Sequence, residues 1–318
     1  MTARLQGIET GWSWPAAGYC RRMAAYLRAM FPIALHGPLA LLLFANLAWL
    51  LRRHLPGQPG SVRAAVVALF SMIALDLLIR MMDEIKDKDL DARYHPTRPL
   101  PAGVVTESDL RWSQLLVAGA FLAAATTSPA TVLGAVGLLA YSVALSRHLL
   151  MRPLLERSPL LTLLTHSPLV PLVLLYVAAL LLAAGGFSLA DLPRAALTLS
   201  LTVTWLSLVT VEIARKTRVP RREDGYPTYS AIWGLKPAIM AALAAATAAL
   251  LLAVVLARLA SPSLLVLAPC IGGYLWLAAE CVRGLATPAP TRWRLKSAAH
   301  AFAALTLMAF PLGGWLSP

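Results

Sequence analysis

Residues 61–91 read SVRAAVVALFSMIALDLLIRMMDEIKDKDLD, an apolar run that ends in five carboxylates within nine residues. Asp83, Asp87 and Asp91 recur every four residues, and Glu84 follows the first of them. On a helix this spacing places side chains along one face, so these four residues, here called the acidic strip, predict a row of oxygen ligands. Mg²⁺ is the natural partner of such a row, because it binds through one or two carboxylates and takes further ligands from phosphates. The strip therefore predicts metal-dependent diphosphate chemistry at a membrane.

The composition is that of a membrane protein. Of 318 residues, 58% are hydrophobic and 14% are charged, which is far more apolar than a soluble domain of this length. A helix needs about 20 apolar residues to cross a bilayer, and nine stretches meet this requirement: 32–51, 61–82, 109–127, 129–147, 160–184, 193–214, 237–258, 262–282 and 295–316. We therefore expect an all-α polytopic protein whose roughly nine transmembrane helices form one domain, residues 1–318, around a central cavity.

The net charge of +13 is distributed unevenly. If the N-terminus is cytoplasmic, the segments on that side hold every basic residue except Arg52, Arg53, Arg63, Arg194 and Arg258. This positive-inside bias predicts that the N-terminus and the acidic strip face the cytoplasm, here of a bacterial inner membrane. Because topology accounts for the charge, membrane lipid is the expected partner and nucleic acid is not. Residues 1–30 are predicted to form an N-terminal interfacial segment, with an amphipathic helix over 16–30.

Two loops, 83–108 and 215–236, contain most of the polar sequence on the predicted cytoplasmic side. In the first loop, prolines at positions 96, 99 and 101 end any helix and Gly103 permits a turn. Arg98 is therefore expected on a stiff loop close to the acidic strip. An arginine at this place suits a phosphate that is held by a guanidinium group as well as by a metal.

The second loop mixes acids and bases at high density. Its charged residues include Arg215, Lys216, Arg218, Arg221, Arg222, Glu223 and Asp224, and Glu212 stands just before them. Such a mixture fits an anionic ligand shared between a metal and cationic side chains. Glu212 also has a simpler interpretation, a helix-end ion pair with Lys216 at i+4.

Three more charged residues lie within or at the ends of apolar spans. Arg147 ends the fourth span on the same side as the two loops, where it either adds a cation to the site or serves as a topology anchor. Asp76 and Arg80 lie within the second span at i and i+4, which is costly unless they face protein or water. We expect Asp76 to orient Arg80 toward the acidic strip.

Together these residues resemble the UbiA-type intramembrane prenyltransferases, whose first signature is Asn-Asp-x-x-Asp-x-x-x-Asp followed by Arg-Pro-Leu-x-x-Gly. Asp83 and Glu84 begin the matching segment, Asp87 and Asp91 continue it in the same register, and residues 98–103 supply the second element as Arg-Pro-Leu-Pro-Ala-Gly. The nine spans and the polar loops also agree. The resemblance therefore covers nearly the whole chain.

The second signature of that family, Asp-x-x-x-Asp with a trailing Gly-x-x-Thr and a later Gly, is only partly present. Gly225, Thr228 and Gly234 match it. Glu212 can replace the first carboxylate, but the position four residues later is Lys216. Either Glu223 or Asp224 supplies the missing ligand, or Lys216 and Arg215 neutralise a diphosphate where a metal would otherwise bind.

The resemblance implies an enzyme that ionises an allylic prenyl diphosphate with Mg²⁺ and transfers the prenyl group to an aromatic or other lipophilic acceptor. The implied metal ligands are Asp83, Glu84, Asp87 and Asp91 at one site, and Glu212 with Glu223 or Asp224 at the other. The implied diphosphate contacts are Arg98, Arg147, Arg215 and Lys216.

Two alternatives remain at this point. Some members of the superfamily resemble terpene synthases in function and quench the same cation internally, and the altered second signature favours such a cyclase. A transporter is the other alternative, since carboxylates in membranes also mark ion pathways. It is less consistent with the sequence, because the acids are clustered in surface loops and do not follow a pore.

Overall fold

The computed structural model describes residues 16–56, 60–219, 227–260, 264–287 and 293–316. Within those ranges every regular element is a helix, which confirms the predicted all-α class. The α-helices are α1 (Ala16–Met30), α2 (Ile33–His54), α3 (Val62–Lys86), α4 (Lys88–Tyr94), α5 (Glu107–Ala124), α6 (Pro129–Ser146), α7 (Arg152–Arg157), α8 (Pro159–His166), α9 (Leu169–Ala184), α10 (Arg194–Arg215), α11 (Tyr229–Trp233), α12 (Leu235–Ala260), α13 (Ala268–Ala286) and α14 (Leu295–Leu316). Short 3₁₀ turns span His148–Leu150, Leu189–Asp191 and Leu264–Leu267.

Eight helical stretches in the described part of the chain are long and apolar enough to cross a membrane. They are Ile33–His54, Val62–Lys86, Pro129–Ser146, Pro159–Ala184, Arg194–Arg215, Leu235–Ala260, Leu264–Ala286 and Leu295–Gly313. The remaining predicted span, 109–127, corresponds to α5, a helix of 18 residues. Glu107, Asp109 and Arg111 lie at its start, so the first turns of α5 are charged.

Helix α3 is the central element of the N-terminal half, where it packs against α2, α5, α6 and α9. Leu75, Leu78 and Met81 are fully buried along one side of it. In the C-terminal half, α10 packs against α12 and α14. Close approach is possible there because α12 buries a row of small residues, as is common between membrane helices: Ala238, Ala242, Ala246, Ala249, Ala253 and Ala257.

The N-terminal helix α1 has the predicted position in sequence and is fastened to α5 by polar contacts. Arg22 donates to both carboxylate oxygens of Asp109, from Nε at 2.8 Å and from Nη2 at 2.7 Å. The Tyr19 hydroxyl lies 2.6 Å from Ser113 Oγ. Asp109 also accepts from the backbone N–H of Thr106 and thereby completes the capping box at the start of α5. The buried carboxylate of Asp109 thus caps the N-terminus of α5 and also holds α1 against α5.

We predict that Arg22→Ala destabilises the protein, whereas Arg21→Ala does not. Removing Arg22 leaves Asp109, whose side chain is 3% exposed, without its bidentate partner, and the loss of such a charged hydrogen bond costs about 1–3 kcal/mol. Arg21 is the adjacent arginine and is exposed. Thermal unfolding of the two variants in the same detergent is the measurement. Equal unfolding temperatures for Arg22→Ala, Arg21→Ala and the unmodified protein would contradict the assigned role of this ion pair.

Candidate active site

The acidic strip lies where α3 passes into α4. Asp87 forms the joint between the two helices, but the helical bonding continues through it. The Asp87 N–H donates to the Asp83 carbonyl and the Asp91 N–H donates to the Asp87 carbonyl, each at 2.8 Å. The strip therefore occupies successive helical turns, as the four-residue spacing predicts.

The side chains of the strip do not all face the same way. Glu84 and Asp91 are each 2% exposed, whereas the Asp83 side chain is 39% exposed. Helix geometry explains this difference, because a seven-residue step returns to within about 20° of the same face. A four-residue step instead turns the side-chain direction by about 40° around the helix axis. Asp83 lies two such steps before Asp91, so the two side chains point in different directions. The expected single row is therefore a buried pair with more open neighbours.

Basic side chains pair with most of these carboxylates. Arg80 donates to Glu84 one turn further along α3. Lys86 Nζ lies 2.7 Å from Asp83 Oδ1, and Arg98 Nη1 lies 2.5 Å from Asp91 Oδ2. The end of α3 is therefore an alternating cluster of acids and bases, in which Arg80 and Lys86 have a larger part than the sequence suggested.

The electrostatic surroundings of Asp87 disfavour its ionised form. Burial raises the pKa of Asp87, and the charges of Asp83 and Asp91 raise it further. Lys86 and His148 oppose this shift. Removing a carboxylate from water and placing it among like charges favours its protonated form. A cation bound at this position would relieve both effects.

The loop after α4 holds Arg98 as the sequence predicts. The Arg98 N–H donates to the His95 carbonyl at 3.0 Å, and the Ala102 N–H donates to the Arg98 carbonyl at 2.9 Å. Gly103 adopts φ 72°, a left-handed conformation that glycine tolerates better than other residues. This compact turn places the guanidinium group against Asp91.

Three buried polar atoms near the strip have no hydrogen-bond partner in the described part of the chain. They are Glu84 Oε2, Arg80 Nε and the Tyr26 hydroxyl. Tyr26 is fully buried, and burial together with the charges of Glu84 and Asp83 raises its pKa, so the hydroxyl keeps its proton. A buried polar group without a partner costs about 1–3 kcal/mol. Three of them in one region indicate a place where a polar ligand or water is bound.

Tyr26 is a residue that sequence reasoning missed. It lies on the same apolar side of α1 as buried Met23, so in the sequence it has the character of a bilayer-facing aromatic residue. Only the docking of α1 onto α5 brings Tyr26 beside Glu84. For an aromatic side chain on an amphipathic helix, no local sequence signal distinguishes a bilayer-facing position from a position buried against another helix.

The start of the second loop forms its own ion-pair group. Glu212 accepts from Arg215 Nη2 at 3.0 Å and lies 3.1 Å from Lys216 Nζ, so the helix-end pair considered from the sequence is present. The Lys216 ammonium also lies 5.8 Å from the centre of the Tyr229 ring. Glu223 and Asp224, the alternative ligands for a second metal, lie outside the described residues.

The two ends of the second loop are joined by hydrogen bonds. The Tyr229 N–H donates to the Lys216 carbonyl at 2.9 Å, and the Arg218 N–H donates to Ser230 Oγ at 2.7 Å. Thr228 caps α11 by accepting from the Ala231 N–H, and Gly234 adopts φ 89°. The matched Thr and Gly of the second signature thus have clear structural roles here.

A cavity of about 130 Å³ opens between α3, α6 and the α8–α9 region. Its polar lining comes from Asp83, Ser142, Ser146 and His166, and the rest is apolar. His166 interacts electrostatically with Lys86, Asp83 and Lys216. The ring therefore lies between the start of the first loop and the start of the second, and it brings Lys216 into the neighbourhood of the acidic strip.

Other predicted residues lie apart from this cavity. Arg147 ends α6 with an exposed side chain, and no ion pair joins it to another described residue. Arg215 lines a different cavity, of about 330 Å³, together with Arg218 and Lys296. Of the four residues assigned to diphosphate binding, Arg215 lines the larger cavity, whereas Arg98, Arg147 and Lys216 line neither of the two.

The expected pairing of Asp76 with Arg80 is wrong. His36 Nδ1 lies 2.7 Å from Asp76 Oδ2, while Arg80 pairs with Glu84. The physical reason is that α2 begins beside α3 and brings an imidazole to Asp76 from another helix. Arg80 pairs instead with the more deeply buried carboxylate, which has the greater need of a counter-charge.

The acidic strip suits a magnesium ion that is shared between protein carboxylates and substrate phosphates. Within the ranges that the structure describes, no group of three or more His, Cys, Asp or Glu side chains is arranged as a metal site. The donors are nevertheless hard oxygens, and Glu84 Oε2 is buried without a partner. Mg²⁺ commonly uses one or two carboxylates together with substrate phosphates. The strip fits that shared mode and does not fit a cage made by protein alone.

Comparison with solved structures shows the fold. A UbiA homologue from Aeropyrum pernix K1, in its apo structure, aligns with a TM-score of 0.67 at 18% identity over 88% of this chain and 97% of its own. A UbiA homologue from Archaeoglobus fulgidus bound to DMAPP and Mg²⁺ gives 0.61 at 16% identity, over 92% and 98%. Digeranylgeranylglyceryl phosphate synthase gives 0.57 at 13% identity, over 92% and 98%.

Among curated proteins, no sequence is significantly similar to this chain. The sequence does match the model of the UbiA prenyltransferase family, and the match runs from residue 41 to residue 306. That range contains the acidic strip, Arg98, both polar loops and the cavity beside His166. The chain therefore belongs to the UbiA prenyltransferase family.

Proposed function

We propose that this protein is an Mg²⁺-dependent intramembrane prenyltransferase that moves a prenyl group from an allylic prenyl diphosphate to an aromatic or other lipophilic acceptor. The observation that carries the proposal is the buried carboxylate pair where α3 passes into α4, Glu84 and Asp91, in which Glu84 Oε2 has no hydrogen-bond partner among the described residues. Family membership and the fold shared with a homologue bound to DMAPP and Mg²⁺ support it.

In this proposal the carboxylates bind metal ions and the basic side chains bind the diphosphate. The acidic strip holds magnesium jointly with the diphosphate, and Glu212 with Glu223 or Asp224 serves a second ion. The cations that contact the diphosphate are Arg98, Arg147, Arg215 and Lys216. Since Lys216 pairs with Glu212 at 3.1 Å, diphosphate binding at the second loop requires this pair to open or to be shared.

Magnesium, when bound, neutralises the negative charge that develops on the departing diphosphate. Arg98 contributes to the same task from a fixed position, because its turn is held by backbone hydrogen bonds. Tyr26 keeps its proton and can donate a hydrogen bond to an oxygen in the buried part of the site. The apolar walls of the cavity exclude water, which would otherwise capture the prenyl cation.

The proposed location is a bacterial inner membrane, and the charge distribution supports the orientation of the chain within it. With the N-terminus in the cytoplasm, the acidic strip and both polar loops open to the side where water-soluble prenyl diphosphates and Mg²⁺ are available. The acceptor would then enter from the membrane. Accessibility of the exposed Cys20 to a membrane-impermeant thiol reagent tests this orientation, since α1 precedes the first span.

A terpene cyclase remains the second candidate, because Lys216 occupies the place of a carboxylate in the second signature. Incubation of purified protein with Mg²⁺ and a panel of prenyl diphosphates, with and without candidate acceptors, separates the two. Acceptor-dependent adducts indicate the transferase, and cyclic hydrocarbon released without an acceptor indicates the cyclase. No diphosphate release from any substrate, with metal present, would refute both and favour a transporter. Chelation of the metal should stop diphosphate release without unfolding the protein.

We predict that Asp87→Asn abolishes diphosphate release, while Asp89→Asn retains it. Asp87 lies among the charges of the strip, whereas Asp89 is an exposed carboxylate two residues away in the same segment. Loss of a transition-state charge contact of this kind lowers the rate by about 100-fold or more. Phosphate-coupled assays on both variants give the comparison, with gel filtration as a check on folding. Near-normal turnover by folded Asp87→Asn protein would remove Asp87 from the metal site.

A second prediction concerns Lys216. If Lys216 holds the diphosphate directly, Lys216→Asp should be inactive at low Mg²⁺ and recover partly as Mg²⁺ is raised, whereas Lys216→Ala should stay low at every concentration. If Lys216 only pairs with Glu212, both changes should be mild, because an i,i+4 pair is worth about 0.3–0.5 kcal/mol. Magnesium titrations of the two variants decide, and two near-wild-type curves would rule out a diphosphate role.

A further inference from the structure

Prenyl transfer needs a proton acceptor as well as a diphosphate site. When the prenyl C1 atom bonds to an acceptor oxygen or aromatic carbon, that atom must lose its hydrogen as a proton. A cation quenched without an acceptor also loses a proton from carbon. The surrounding bundle excludes bulk water, so the proton passes either to the departing diphosphate or to a side chain that lines the cavity. The following inference rests on the proposed function and adds a residue to it.

The polar side chains of the 130 Å³ cavity differ in their capacity for this task. Ser142 Oγ donates to the Leu138 carbonyl at 2.8 Å, and Ser146 Oγ donates to the Val143 carbonyl at 2.7 Å. Neutral hydroxyl groups held in this way are poor bases. Asp83 is paired with Lys86 and belongs to the proposed metal site. His166 is the remaining polar residue of the lining, and imidazole is the commonest general base in enzymes.

Hydrogen bonding fixes the tautomer of His166. Its Nδ1 lies 2.9 Å from the Thr162 carbonyl oxygen. A carbonyl oxygen can only accept, which assigns the hydrogen to Nδ1. The Thr165 hydroxyl, 3.1 Å from the same nitrogen, donates to the Leu161 carbonyl at 2.8 Å. In the neutral ring the lone pair is then on Nε2, and no hydrogen bond joins Nε2 to any described residue. The helix that holds the ring therefore also prepares its other nitrogen to accept a proton.

The position of the ring suits a proton acceptor. His166 ends α8 and lines the same cavity as Ile79, Met82 and Asp83 of α3. It thus stands where the charged site meets the apolar cavity. The reacting carbon of a prenyl diphosphate must occupy the same boundary, because its diphosphate is polar and its chain is apolar.

We propose that His166 is the catalytic proton acceptor of this enzyme. The C–O bond of the prenyl diphosphate breaks and the diphosphate leaves with the electron pair. The acceptor supplies the electrons for the new bond to C1, and its O–H or C–H proton passes to Nε2. The product is a prenylated acceptor, free diphosphate and an imidazolium, which returns the proton to the diphosphate or to water after product release. The acceptor class is a lipophilic compound with a hydroxyl group or an activated aromatic C–H bond.

The test compares His166→Gln and His166→Ala with His300→Gln. His300 is a matched control because its Nδ1 also lies near the carbonyl four residues earlier, 2.7 Å from Lys296 O, but the side chain is exposed outside the cavity. Prenylated product and diphosphate release are measured in parallel, with gel filtration reporting the folded fraction. We expect the turnover number for product to fall about 100-fold in both His166 variants, with the KM for prenyl diphosphate within about threefold of normal. His300→Gln should be unchanged.

Added imidazole distinguishes a missing base from a damaged site. It should restore part of the product formation in His166→Ala, where the removed ring leaves space, and should not affect His300→Gln. Should His166→Ala fail to fold, the turnover number of His166→Gln for product still decides, since Gln keeps an amide that can donate to Thr162. Product formation within about threefold of normal in folded His166→Gln would overturn the proposal. Loss of product in folded His166→Ala that added imidazole does not restore would also overturn it, as this result indicates a positioning role. Absence of diphosphate release in the unmodified protein would instead refute the proposed function itself.

Discussion

Two buried carboxylates, Glu84 near the end of α3 and Asp91 in α4, set the main constraint on this structure. Removing a carboxylate from water costs several kcal/mol unless a counter-charge is supplied, and each of the two is 2% exposed. Arg80 supplies that charge from within α3, and Arg98 supplies it from the proline-rich loop. The loop must therefore fold back over the helix end. The acidic strip is thus both the candidate metal site and the anchor of the first loop.

The same constraint links the N-terminal helix to the site. Helix α1 covers the end of α3 with Tyr26, whose hydroxyl has no hydrogen-bond partner within the described ranges, and it is fastened to α5 through Arg22 and Asp109. On the other side, His166 and Lys216 approach Asp83 and Lys86. Elements that are far apart in sequence therefore meet at one polar centre.

Sequence patterns were sufficient for the periodic features of the fold. The apolar runs predicted an all-α membrane protein, and eight of the nine spans correspond to helices of sufficient length and hydropathy. The four-residue acidic spacing and the Arg-Pro-Leu-Pro-Ala-Gly element predicted that Arg98 lies beside the strip, and it contacts Asp91. These features are local, because a helix repeat or a proline-rich turn is determined by residues that are close together in the sequence.

Features that depend on packing between distant helices could not be read in this way. Asp76 pairs with His36 of α2, and not with Arg80 as expected, because the partner on a neighbouring helix is unknown before the bundle is assembled. Tyr26 and His166 join the site only through the docking of α1 and α8. The burial of Glu84 beside an exposed Asp83 likewise depends on which face of α3 is covered.

The central claim is that the acidic strip and its arginines bind metal and diphosphate jointly. Mn²⁺ binding followed by electron paramagnetic resonance, with and without a non-ionisable prenyl diphosphate analogue, tests it most directly in purified protein. We predict weak Mn²⁺ binding alone, binding at least about tenfold tighter with the analogue, and loss of this gain in Glu84→Gln. Equal Mn²⁺ affinity with and without the analogue, or an unchanged gain in Glu84→Gln, would contradict the account.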